Sequence, residues 1–186
     1  MTDDLQAIRR LKSGDIGGLE VLIARYQLKA IRTAFLITHD ESVAEDVVQD
    51  AFIRFFEHAR HFDEQRAFRP YFMRSVVNLA LNMAQKESKG MQFSGDDDSS
   101  QLETLLARAV SVENQVEFSQ LQREMLTVLF KLPPRQRAVI VQRYYLEMSE
   151  SEMAETLVIA PGTVKWLLHA ARTRLRDMLG VQRNLL

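Results

Sequence analysis

Cysteine is absent from the 186 residues, which rules out disulfides, thiolate metal sites and cysteine nucleophiles together. Glycine is missing between Gly18 and Gly90, so that segment must be helices joined by turns such as Thr38-His39-Asp40 and Phe62-Asp63-Glu64. No run alternates apolar and polar residues as a half-buried strand would. No uncharged apolar stretch approaches the roughly 18 residues of a membrane span, and no basic segment followed by an apolar run opens the chain. The expectation is a cytoplasmic protein with no membrane insertion. A phosphate-binding loop is lacking. The four histidines, His39, His58, His61 and His169, are scattered without acidic partners, so neither a metal site, a cofactor site nor an enzyme is expected.

What is present is apolar content of 46%, enough for real cores in one ordinary domain or two small ones. The net charge of −1 offers no argument for a nucleic-acid partner, but its distribution is uneven. Residues 1–89 carry 13 basic and 13 acidic side chains, residues 90–130 carry 2 and 7, and residues 131–186 carry 9 and 5.

Helical periodicity dominates, so the fold class expected is all-α. Leu19 to Ile37 forms one helix with an apolar stripe. A second helix starts near Ser42, where Val43, Val47, Val48, Ala51, Phe52, Phe55 and Phe56 are expected to be buried and Asp46, Gln49 and Asp50 to share the opposite face. A third runs from about Pro70, well placed in a first turn, to Lys86. The acidic, turn-rich stretch from Gly90 to Ser100 reads as a flexible connection. The expected organisation is therefore two small helical domains, 1–89 and 113–186, joined by an acidic linker over 90–112. A short helix is expected over Leu102 to Val110, and a longer one from Val112 to Phe130 opens the second domain.

After Pro133-Pro134, three helical stretches follow: Arg135 to Leu146, a short helix opened by a Ser149/Glu152 capping box and reaching about Leu157, and a long basic helix from Pro161 to about Leu179. Short helix, tight turn and long helix make a helix-turn-helix, whose last helix meets bases in the major groove. Thr163, Lys165, Trp166, His169 and Arg172 are the candidates for that contact. Plain packing of Trp166 into the helical core is the competing reading.

The residues from Tyr145-Leu146-Glu147-Met148-Ser149 through Gly162-Thr163-Val164-Lys165 to Ala171-Arg172-Thr173-Arg174-Leu175 resemble the C-terminal domain of extracytoplasmic-function sigma factors. Leu132 to Arg137 resembles that domain's lead-in. Independently, Ala44-Glu45-Asp46-Val47-Val48-Gln49-Asp50-Ala51-Phe52 resembles the family helix that docks on the clamp of the polymerase largest subunit. The segment Phe68 to Asn82 is similar to the one that captures the minus-ten element as separated single strand. The resemblance covers about Leu19 to Leu179. It implies bacterial RNA polymerase core (beta and beta-prime subunits) as partner, docked through Asp46, Gln49 and Asp50. It implies promoter DNA, both duplex and single-stranded, and regulation by an anti-sigma factor; the linker is expected in the polymerase RNA path.

Single-strand capture needs aromatic platforms, cations for phosphates and amides for base edges. Arg66, Phe68, Arg69, Tyr71, Arg74 and Asn78 supply these, with Lys86 and Lys89 on phosphates. The second domain departs from the family pattern. Val158 and Ala160 stand where a glycine and a serine cap are usual, and Leu167 and Ala170 replace arginines. In the first domain, Ala84 to Lys89 stands where an arginine run is common. These departures keep two alternatives open: a sigma-like decoy that binds an anti-sigma factor, or a sigma factor brought to DNA by a further partner, with Trp166 and Leu167 facing a protein. A two-helix-domain repressor would leave the first domain without a role.

Overall fold

The computed structural model describes the backbone of residues 2–90 and 115–183 and the side chains of 3–88 and 123–180. The chain divides into two compact units, Met1–Met83 and Ala84–Leu186. Among the described residues the regular structure is helical throughout. Of the linker expected over 90–112, Gly90 is the last residue of a helix, and residues 91–112, with the helix expected over 102–110, lie outside the described residues.

In the first unit, α1 (Thr2–Lys12), α2 (Gly17–Thr38), α3 (Glu41–His58), a 3₁₀ turn (Ala59–His61) and α4 (Phe68–Gly90), whose last residues run past the boundary at Met83, follow in order. The α1 helix is not foreshadowed by the reading above, which begins the fold at Leu19. Gly18 explains how α1 is seated. A Cβ there would lie 2.1 Å from the Ala7 carbonyl oxygen and 2.9 Å from the Leu11 nitrogen, so only glycine lets the two backbones approach this closely. Ala7, Ile8 and Leu11 are thereby buried.

The turn between α2 and α3 has His39 in the left-handed region (φ 66°) and Asp40 as N-cap, accepting from Val43 N. A short polar side chain at the cap satisfies an otherwise orphaned donor and starts α3 where Asp40 stands. Aromatic rings from α3, α4 and the intervening turn form the heart of this unit. Phe68 stacks on Phe72 (centroids 5.4 Å, 15°) and meets Phe55 edge-on at 4.7 Å.

In the second unit, α5 (Gln115–Phe130), α6 (Pro134–Ile140), a π-helical turn (Val141–Tyr145), α7 (Glu150–Leu157) and α8 (Pro161–Arg183) succeed one another. Leu132, Val139, Ile140, Met153, Ala154, Val164, Leu167, Leu168 and Ala171 form its core. The helix expected to reach Leu146 is α-helical only to Ile140, because the next turn widens to the π form. Gln142, fully buried in that turn, donates from Nε2 to the Ala138 carbonyl at 3.2 Å. Arg137 of the lead-in is also buried, donates to the Phe130 carbonyl at 3.3 Å, and is pushed down to about 10 by burial.

Candidate nucleic-acid interface

The α3 helix divides its faces cleanly. Ala44, Val47, Val48, Ala51, Phe52 and Phe55 are buried, which leaves Asp46, Gln49 and Asp50 exposed together, as i, i+3, i+4 spacing dictates. Asp50 lies 3.7 Å from Arg54 one turn on. Phe56 does not join the buried face: it is 46% exposed, as is Ile53. Phe56 falls at the margin of the apolar stripe, one position beyond buried Phe55. Together with Ile16, Leu19 and Ile23 of the facing corner, Ile53 and Phe56 line a groove of about 520 Å³ that reaches Gln49.

On α4 the residues Phe68, Phe72, Met73, Val76, Val77 and Ala80 turn inward. Phe68 was expected as a stacking platform; at 2% exposure it is core, pinned by the rings of Phe55, Phe62 and Tyr26. Tyr71 takes the opposite position. It is 38% exposed, with its ring held edge-on 5.0 Å from Phe62. Tyr71, Arg74 and Asn78 follow i, i+3, i+7 spacing and so share one stripe, the last two half-buried. Arg66 and Arg69 are exposed, Arg66 lying 3.7 Å from Asp63, and Lys86 is exposed further along. The side chain of Lys89 lies outside the described residues.

The helix-turn-helix is α7, a turn over Val158 to Ala160, and α8. Its first helix opens with the anticipated reciprocal cap: Ser149 Oγ accepts from Glu152 N, and Glu152 Oε2 accepts from Ser149 N at 2.7 Å. Hydrogen bonds from Ser149, first its hydroxyl and then its N–H, hold the Glu152 carboxyl below its usual range. Val158 adopts φ 53°, ψ 49°, with its N–H donating to the Ala154 carbonyl. Its side chain is 82% exposed, so nothing offsets a left-handed β-branched residue, which costs about 1–2 kcal/mol.

Along α8, Val164, Leu167, Leu168 and Ala171 are core, while Thr163, Lys165, Trp166, His169 and Arg172 are all exposed. The candidate contact residues therefore share the solvent side of one helix. Trp166, at 63% exposure, is not packed into the core. Leu167, considered as a protein-facing residue, belongs to the core instead, because it lies one position beyond the exposed stripe. Lys165 Nζ comes within 3.9 Å of Glu150. Arg172 donates from Nε to the Tyr144 hydroxyl at 3.0 Å, with its guanidinium 5.8 Å above that ring. Tyr144, 60% exposed at the π turn, thus belongs to this face although the sequence reading did not include it. Apolar-in, polar-out spacing alone would have pointed outward at that position, but only the widened turn sets it against Arg172.

Among the described residues no group of histidine or acidic side chains could hold a metal, and no helix is long and apolar enough to cross a membrane. The geometry defines a two-unit helical protein with an exposed polar face on α3, an aromatic and cationic stripe on α4, and a helix-turn-helix.

Comparison with known proteins agrees with that class. The family descriptions "Sigma-70 region 2" and "Sigma-70, region 4" match residues 22–90 and 122–175. The chain is 29% identical over 176 residues to an ECF RNA polymerase sigma factor of Bacillus subtilis, SigW, covering 92% of this chain and 94% of that one. It is 25% identical to the ECF RNA polymerase sigma-E factor of Haemophilus influenzae, covering 95% of each. In fold it is similar to CnrH, solved in complex with the cytosolic domain of CnrY (TM-score 0.65, 22% identity, 96% of this chain and 98% of that one). It also resembles the sigma factor RpoE of Bartonella quintana, solved with the anti-sigma factor NepR (TM-score 0.60, 20% identity, 87% of this chain and 95% of that one). The chain belongs to the sigma-70 family, in its extracytoplasmic-function group.

Proposed function

We propose that this sigma factor directs RNA polymerase core to promoters through three surfaces, and that it works in the cytoplasm without catalysis of its own. Residues 1–89 dock on polymerase through Asp46, Gln49 and Asp50, with the apolar groove beside Gln49 receiving part of the same partner. The α8 face, Thr163, Lys165, Trp166, His169 and Arg172, places the complex by duplex contact at the minus-thirty-five element. Arg66, Arg69, Tyr71, Arg74 and Asn78 then trap unpaired minus-ten bases, with Lys86 and Lys89 on the backbone. Binding energy realised only on separated strands drives melting.

The observation that supports this reading is that Asp46, Gln49 and Asp50 on α3, and Thr163, Lys165, Trp166, His169 and Arg172 on α8, occupy the solvent side of helices whose other side is core. With Phe68 in the core, Tyr71 is the stacking platform of the minus-ten segment. The anti-sigma factor bound to the Bartonella quintana relative fits a factor regulated by sequestration.

A second reading is favoured by the α8 face itself. Its cations are few, Arg172 is engaged by Tyr144, and exposed Trp166 offers apolar surface. On this reading a partner protein supplies the missing hold on upstream DNA.

Run-off transcription with core polymerase on a genomic promoter library tests both, comparing wild type with Asp46→Ala/Gln49→Ala/Asp50→Ala. Discrete transcripts that the triple variant loses establish autonomous initiation. Binding to core without transcripts supports the partner-dependent factor. Absence of core binding leaves the decoy that captures an anti-sigma factor.

A further inference from the structure

The α1 helix carries Asp3 and Asp4 at its start and Arg9, Arg10 and Lys12 at its end. Its apolar side is seated on α2 at backbone contact distance through Gly18. At one end, Arg25 of α2 pairs with Asp3 and Asp4, and the Tyr26 hydroxyl donates to Asp4. At the other end, Lys12 Nζ donates to the Phe62 carbonyl at 2.7 Å and to Glu64 Oε1 at 3.0 Å, while Arg9 Nε donates to Glu64 Oε2 at 2.8 Å. Both oxygens of one carboxylate are thus held from α1.

Glu64 stands in the turn that leads into α4. That turn is closed on itself: Asp63 Oδ1 accepts from Gln65 N at 3.0 Å, and Arg66 N donates to the Asp63 carbonyl at 3.0 Å. A small rigid turn gripped by one side chain moves with whatever grips it. Isolated surface pairs contribute little, but the Lys12 and Glu64 side chains are only 23% and 32% exposed, and the effect at issue is direction rather than stability. A cavity of about 330 Å³ beside the turn is lined by residues of α1, by Tyr26 and by Glu64 to Arg69.

We infer that α1 is a positioning element for capture of unpaired bases: through Arg9 and Lys12 on Glu64 it sets the turn before α4, and with it the direction in which Arg66, Arg69 and Tyr71 meet the separated strand. This rests on the reading of the Arg66 to Asn78 segment as the single-strand surface. Arg9, Lys12 and Glu64 act through the turn and need touch no DNA.

The test uses the full chain assembled with core polymerase. Single-stranded DNA is selected from a random-sequence pool, and discrimination is measured between the selected oligonucleotide and its one-base variants. Arg9→Gln/Lys12→Met and Glu64→Ala are expected each to lower discrimination about tenfold, and the combined variant by less than the product of the two, since both remove the hold on the Glu64 carboxylate. Lys12→Arg is expected to preserve discrimination. Arg10→Gln, which removes only the 2.7 Å pair with Asp15, serves as the control and leaves it unchanged. Core affinity stays at the wild-type level in all. If wild type selects a sequence and Glu64→Ala discriminates equally well, the positioning role is overturned while the single-strand reading stands. Losses that multiply in full in the combined variant, or weaker binding with intact discrimination, also overturn it. A wild-type assembly that selects nothing sinks the parent reading and the inference together.

Discussion

Gly18 and Ala7 meet so closely that a methyl group on the glycine would lie 2.1 Å from the alanine carbonyl oxygen. Alanine is the better helix former by about 1 kcal/mol, so at an open site Gly18→Ala would stabilise α2. Here the obstructing atom is backbone and cannot rotate away. The expected outcome is destabilisation of the first unit by about 1–3 kcal/mol, read as a lower midpoint in denaturant unfolding. A stability equal to or above wild type would show that α1 does not sit against α2 in this way.

At Val158 the expectation runs in the opposite direction. Its left-handed backbone costs about 1–2 kcal/mol for a residue with a Cβ, and its exposed side chain contributes no packing to set against that. Val158→Gly removes the strain but adds freedom to the unfolded chain worth about 0.4–1 kcal/mol. The net gain is expected to lie between about 0 and about 1.6 kcal/mol by that balance, detected as a modest rise in thermal midpoint. Val158→Asn, which tolerates this region with less unfolded-state freedom, should do at least as well.

The Ser149 and Glu152 cap carries a pH signature. Ser149→Ala is expected to cost about 1 kcal/mol. Because the Glu152 carboxyl is held below its ordinary value of 4.5, the folded state binds its proton less readily than the unfolded state does. Its contribution is therefore fully present above that ordinary value and fades as the pH falls toward the lowered one. The difference in stability between wild type and Glu152→Gln should shrink over that acid window. A constant difference from neutral pH downward would argue against an ionised cap.

On α8, Trp166 and Lys165 separate folding from binding. Both side chains are largely exposed, so Trp166→Ala and Lys165→Ala should each change stability by no more than about 0.5 kcal/mol. Lys165→Ala is expected to weaken duplex binding across sequences and reduce the salt slope by about 1. If Trp166 contacts bases, Trp166→Ala lowers sequence preference at unchanged slope; if it faces a partner protein, duplex binding is untouched and partner binding is lost. Electrophoretic mobility measured over a salt series distinguishes these results.

Much of this was legible in the amino-acid order. The two faces of α3, the reciprocal cap at Ser149 and the exposed run on α8 follow from spacing, because a helix repeats every 3.6 residues whatever it packs against. The margins of those stripes did not follow. Phe56 and Phe68 are equally aromatic and each adjoins an apolar run, yet one is half exposed and the other is core. Which margin residue is covered depends on where the neighbouring helix crosses, and that is a property of the assembled unit. The α1 helix escaped notice because it is short, highly charged and amphipathic over barely three turns; its helicity is secured by tertiary contact with α2, as expected for so short a segment.

The sequence alone determined an all-helical chain without thiol chemistry, the family motifs, and the helix-turn-helix with its cap, since each of these rests on local spacing and residue chemistry. Tertiary structure decided that Tyr71 rather than Phe68 faces outward, that Leu167 closes the core while Trp166 does not, and that α1 reaches Glu64. Those outcomes depend on contacts between residues far apart in the chain, where a change of helix crossing by a single residue's width exchanges core for surface.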